Sequence, residues 1–157
     1  MSQLTDITKN YFNKYTVKDV INPEAIILFI LESPHTQEIK HGYPVAGDSG
    51  VEMTKFIYGE EYKDAFGKIV SQTEKYRDKY DDLDKFSIIN VSPAPMQGDG
   101  LKDYSLSKED KQVVSILEKL RVNYKSQRHR NKDWNRVKSL LLDDFKSRLM
   151  KLLTESP

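Results

Sequence analysis

Apolar residues in this chain follow two different rhythms. Leu4, Ile7, Tyr11 and Tyr15 recur at helical spacing, with Thr5-Asp6 near the start, and predict a first helix over 4–16. Asn22-Pro23 breaks it. Ala25–Leu31 is then a continuous apolar run without alternation, the pattern of a strand covered on both faces of a parallel sheet. Residues 33–48, rich in Pro, Gly and polar groups, read as a loop. Ser49 is placed to cap a helix carrying Val51, Thr54, Phe56 and Ile57, and a further helix is predicted over 61–79.

A second buried strand, Phe86–Val91, stops at Ser92-Pro93-Ala94-Pro95, which cannot continue as a central strand. After a loop over 96–107, Ser107 and Asp110 fit a capping pattern for a helix lined by Val113, Ile116, Leu117 and Leu120. Trp134, Val137, Leu141, Phe145, Leu149 and Leu152 define a long last helix with its Met and Leu stripe in the core. Strands bracketed by helices make this an α/β chain with a parallel sheet and a helical C-terminal region. Two strands alone are a poor core, so a third strand is expected after the last helix.

The length of 157 residues suits one domain spanning 1–157. A formal net charge of +1 gives no global preference for nucleic acid or membrane, but the charge is unevenly spread. Eight acids against five bases fall in 60–84, and seven Lys or Arg against one Asp in 121–138. The segment "RVNYKSQRHRNKDWNRVK" interleaves its bases with Tyr124 and Trp134, as nucleic-acid surfaces do, although a solvated connection with Trp134 buried has the same composition. With no cysteine, disulfides, thiolate metal sites and a Cys nucleophile are excluded. The N-terminus lacks a signal-peptide core and no apolar run is long enough for a bilayer, so a cytoplasmic protein without a membrane partner is expected.

In open α/β sheets, ligands bind beyond the carboxyl ends of the strands. Polar residues stand there: Glu32 after the first strand and Asn90 near the end of the second. Ser33 and His35 lack a G-x-S-x-G elbow and do not make a hydrolase pair. His35, Glu38 and His41 fall at intervals of three, but Pro34 before them and Gly42 after them mark a loop, and no metal site is expected.

The stretch "LESPHTQEIKHGYPVAGDSG" resembles the first signature of the uracil-DNA glycosylase superfamily, especially the branch reading G-E-A-P-G-x-x-E followed by G-x-P-F-x-G-x-[AS]-G. Glu32, Pro34, Glu38, Gly42, Pro44, Gly47 and Gly50 fall in register, and "SIINVSPAP" is similar to the family strand that ends in Asn before a Pro-rich loop. The likeness covers about 26–57 and 86–95. It implies a three-layer α/β/α sandwich, recognition of a nucleobase extruded from DNA, and hydrolysis of the N-glycosidic bond without a cofactor.

The resemblance also implies roles. Glu38 takes the catalytic carboxylate position, able to orient water or stabilise a cationic sugar. Asn90 takes the position that reads the base edge, with Glu32 and Tyr43 beside it. Gly42, Gly47, Ser49 and Gly50 would let backbone amides approach the nucleotide and its phosphate. Lys125, Arg128, Arg130 and Lys132 would contact the nucleic-acid backbone.

The departures are equally specific. His35 stands where the family usually has Gly, and Val45 where it has a stacking Phe. None of His35, His41 and His129 belongs to a His-Pro-Ser loop. The chain therefore reads as the N-terminal portion of the family fold, which a homodimer or a separately encoded C-terminal half would complete. A second reading is a non-catalytic nucleic-acid-binding or protein-interaction module that keeps the pocket.

Overall fold

The computed structural model describes residues 3–155. The chain is mixed α/β. Helix α1 is Gln3–Lys14, β1 is Ile27–Leu31 and α2 is Thr36–His41. Next come α3 (Asp48–Tyr58), α4 (Phe66–Val70), α5 (Thr73–Tyr76) and β2 (Phe86–Asn90). The chain closes with α6 (Lys108–Val122) and α7 (Lys132–Glu155).

The two strands pair in parallel, with Ile27 opposite Phe86 and Leu31 opposite Asn90. On its other side β2 meets the segment after α1, where Val20 and Ile88 exchange two backbone hydrogen bonds of 2.9 and 2.8 Å. The neighbour expected after the last helix thus comes from before the first strand. Every residue of β2 is buried.

β1 departs from expectation. Its apolar run is not covered on both faces: Ile27 and Ile30 are exposed, and the preceding Ile26 is 79% exposed. β1 is an edge strand. Apolar content reports what a segment can bury, and the number of neighbours decides what it does bury.

Pleat alternation splits the core in two. Phe29 and Leu31 of β1 and Phe86 and Ile88 of β2 pack with Phe66, Ile69 and Val70 of α4. Leu28 and Ile30 lie on the other face, beside Leu152 and Leu141 of α7 respectively. There α1, α6 and α7 pack together around Tyr11, Val113, Leu117 and Val137. Tyr11 is fully buried and its hydroxyl donates to Pro95 O at 2.6 Å, pinning the Pro-rich loop after β2. α6 begins as its sequence predicts, with Ser107 Oγ accepting from the Asp110 amide at 3.1 Å.

Other differences are local. The loop over 33–48 contains α2, whose first turn is stabilised by Glu38 reaching back to the His35 amide. The predicted 61–79 helix is two short helices separated by a turn. Ser49 is not a cap: α3 starts at Asp48 behind Gly47. Phe56 of α3 is 92% exposed. The stripe of α7 is core only at Val137 and Leu141, whereas Met150 and Leu153 are exposed. No helix among the described residues is long and apolar enough to cross a membrane.

Candidate functional site

A cleft of about 440 Å³ opens at the carboxyl ends of β1 and β2. Its walls come from Leu31 and Asn90 at the strand ends, Ser33 to Glu38 on the turn into α2, and Val45 to Ser49 leading into α3. The fold brings Glu38, Gly47, Ser49 and Asn90 together in this one cavity, although more than forty residues of chain separate Glu38 from Asn90.

Asn90 is the most informative of them. The residue is 3% exposed, and its side-chain amide makes no hydrogen bond to another described residue; since no fully buried side-chain nitrogen or oxygen among these residues is left without a partner, the amide opens onto the cleft that Asn90 lines. A buried amide normally finds a partner. Here the cleft alone can supply one, with the donor and acceptor of the amide presented side by side. The parallel register fixes this direction, because Asn90 shares a face with Ile88 and stands opposite Leu31.

Glu38 lines the cleft, and both its oxygens are engaged. Oε1 accepts from the His35 amide at 2.8 Å and Oε2 from the Ala46 amide at 3.0 Å. The carboxylate thus clasps the two ends of the 35–46 segment. Glu38→Gln is expected to destabilise the protein by about 1–2 kcal/mol in urea unfolding, because the new amide nitrogen must face one of these N–H donors. A loss of activity in this variant accordingly reports on the clasp as well as on the charge.

Asp48, at the mouth of the same cleft, is exposed and makes no hydrogen bond or ion pair among the described residues. It is the last residue of the 33–48 stretch that the pattern assigned to loop. Its position one residue past Gly47, at the first turn of a helix, is the signal that could have drawn attention to it. The cleft therefore has two carboxylates, Glu38 and Asp48, and no lysine or arginine. That balance suits a neutral ligand with a developing positive charge better than a phosphate.

Four candidates lie elsewhere. Glu32 falls on the Ile30 face by alternation, and its carboxylate accepts from the Arg121 guanidinium of α6, outside the cleft. Tyr43 packs into the core around α4, its ring stacked on His41 at 5.9 Å, and burial raises the pKa of its hydroxyl. Gly42 has left-handed backbone (φ 83°) and ends α2 by donating its amide to Glu38 O at 2.8 Å. Gly50 touches protein, not ligand, since a Cβ there would lie 1.9 Å from Val45 O. Val45 itself lines the cleft with φ 43°, an uncommon conformation for a β-branched residue.

His35 and Ser33 line the cleft, but His41 does not, and no cluster that could hold a metal ion exists among the described residues. Lys125, Arg128, Arg130 and Lys132 are exposed on the connection between α6 and α7 and at the start of α7. Trp134 is partly buried against the helical core, its ring edge to His129 at 5.7 Å, so the aromatic left in solvent there is Tyr124.

The chain matches no known protein family, no curated protein and no solved structure.

Proposed function

We propose that the cleft receives a nucleobase extruded from DNA and that the protein hydrolyses its N-glycosidic bond. The observation that carries this reading is the amide of Asn90, bonded to no other described residue and open to the cleft at the end of a buried strand. A base edge offers the complementary acceptor and donor, and satisfying a buried amide is worth about 1–3 kcal/mol of discrimination. The placement of this cleft, together with helices on both sides of a parallel pair, supports a sandwich of the uracil-DNA glycosylase type.

In this reading Asp48 has the carboxylate free to hold the attacking water. Glu38 is a positioning residue that fixes the loop and adds negative charge near the sugar as the base departs. No cofactor is needed. The bond between base and sugar breaks, the electron pair leaves with the base, and water supplies the hydroxyl to C1′ and a proton to the base.

A single-turnover assay on oligonucleotides carrying uracil or modified bases tests this. Asn90→Ala is expected to lower abasic-site formation about ten- to a hundredfold, with Asp48→Asn comparably affected and the fold intact by circular dichroism. Wild type that forms no abasic site on any substrate removes the enzymatic reading.

The second reading, a pocket kept for binding alone, is favoured by the open edge of β1. Exposed Ile26, Ile27 and Ile30 give that edge an apolar margin suited to a second copy or a separately encoded half. Asn90-dependent binding without cleavage would select it.

A further inference from the structure

A second cleft, of about 360 Å³, lies on the other side of Leu31 from the first, and Leu31 lines both. Its floor is apolar, formed by Ile30, Val91, Met96, Leu120, Leu141 and Leu142. Its rim is basic: Arg121, His129 and Lys138 line it, and Lys125, Arg128, Arg130 and Lys132 follow on the same connection. Glu32, already paired with Arg121, is the one acidic residue of the lining.

We infer that this cleft binds the nucleotides flanking the base held by Asn90, and that it takes them from a single strand. The inference rests on the base-binding reading of the first cleft for its direction, but the second cleft has its own recognition chemistry. An apolar floor with a cationic rim matches a nucleotide, whose base is apolar on its faces and whose phosphate is anionic. Tyr124 is 74% exposed and lines the cleft, offering a ring face for stacking that no core contact uses. Lys125 Nζ lies 5.9 Å from that ring, so cation and stacking surface are already side by side. Bases paired in a duplex are stacked on each other and cannot lie on that floor. An unpaired strand can, and the shared wall at Leu31 lets one strand occupy both clefts.

The connection is shaped to hold this surface. Lys138 Nζ donates to Ser126 O at 2.8 Å and Gln127 O at 2.9 Å, and Asn135 bonds both the amide and the carbonyl of His129. The backbone is thereby fixed from α7. The flanking Lys125, Arg128, Arg130 and Lys132 make no ion pair among the described residues and keep their charge for a ligand.

Fluorescence anisotropy with a labelled twelve-nucleotide thymidine strand tests the inference apart from any glycosidic chemistry. Wild type is expected to bind at low salt and to lose affinity steeply as salt rises. Tyr124→Ala should weaken binding about tenfold or more, the worth of one base–aromatic stack. Arg128→Glu with Arg130→Glu should flatten the salt dependence. Asn90→Ala removes the base contact of the first cleft and should weaken strand binding only in part, leaving the salt dependence and the effect of Tyr124→Ala as in wild type, so the two substitutions report on different clefts. A duplex of equal length that binds as tightly overturns the inference, as does strand binding indifferent to both Tyr124→Ala and the paired charge reversal. An acidic amphipathic peptide that binds where the strand does not would likewise overturn it, and would make the cleft a protein-docking groove.

Discussion

Gly67→Ala is expected to prevent folding or to cost about 3 kcal/mol or more. A Cβ at Gly67 would lie 1.6 Å from Pro44 O and 2.8 Å from Pro44 C, with Tyr43 Cδ2 at 3.1 Å. The first two are backbone atoms, so no rotamer change relieves the overlap. The backbone cannot easily retreat either. Gly67 N–H donates to Val45 O at 3.2 Å, Glu38 holds the neighbouring Ala46 amide, and the facing Phe66 is fully buried. Overpacking of a dense core costs 1–3 kcal/mol when side chains can adjust, and more when they cannot. Set against the 5–15 kcal/mol typical of whole domains, this is a large share. Urea unfolding of wild type and variant gives the number directly, and a shift below 1 kcal/mol would show that the 43–46 turn moves freely.

That turn also explains which parts of the site were legible in sequence. Asn90 stands at the end of a patterned strand, and the parallel register of two apolar runs brings it to the cleft end of the sheet, whereas Glu38 and Gly47 lay in a stretch read as loop and were singled out by the resemblance alone. Alternation would also have separated Glu32 from the cleft, because it follows Ile30 in period and not Leu31. What the pattern could not show is how far each run is covered. Ala25–Leu31 and Phe86–Val91 look alike as strings, yet β2 has neighbours on both sides and β1 has one. Gly50 was legible as important and misread as to why, and Gly67 was not singled out at all: they admit the carbonyls of Val45 and Pro44, a packing demand invisible without the third dimension. α2 was hidden between Pro34 and Gly42, where six residues form a helix because Glu38 caps it.

Arg148→Met is expected to cost about 3 kcal/mol at pH 7 and less at pH 5. One guanidinium here ties three parts of the chain. Nη1 bonds both carboxylate oxygens of Asp19 at 2.9 and 3.1 Å, Nη2 donates to Val91 O at 2.8 Å, and Nε donates to Asp144 at 2.9 Å. Methionine keeps most of the apolar stem and removes all four bonds. The Asp19 side chain is 15% exposed, so its charge would be left nearly buried and alone, the circumstance in which breaking an ion pair costs most. Burial already raises the Asp19 pKa even against the pull of Arg148, and without the arginine that rise must grow. A carboxyl whose folded pKa exceeds its unfolded value binds more protons when folded, so the penalty shrinks as pH falls toward that pKa. Asp64 and Asp110 are shifted the other way, held down by Tyr80 and Lys79 and, despite burial, by Lys14 and Tyr15. Their contribution is present above their ordinary value of 3.8 and is lost only below it, so a comparison of pH 7 with pH 5 isolates Asp19. Equal penalties at the two pH values would show that Asp19 is not the group left uncompensated. The Asn90 backbone also favours the Asp19 charge, so the clasp that stabilises α7 against the sheet bears on the strand end that carries Asn90. Asp19→Asn with Arg148→Met should therefore recover stability through the neutral side chain, and recover the ligand affinity of the first cleft only as far as Asn90 is held in place again.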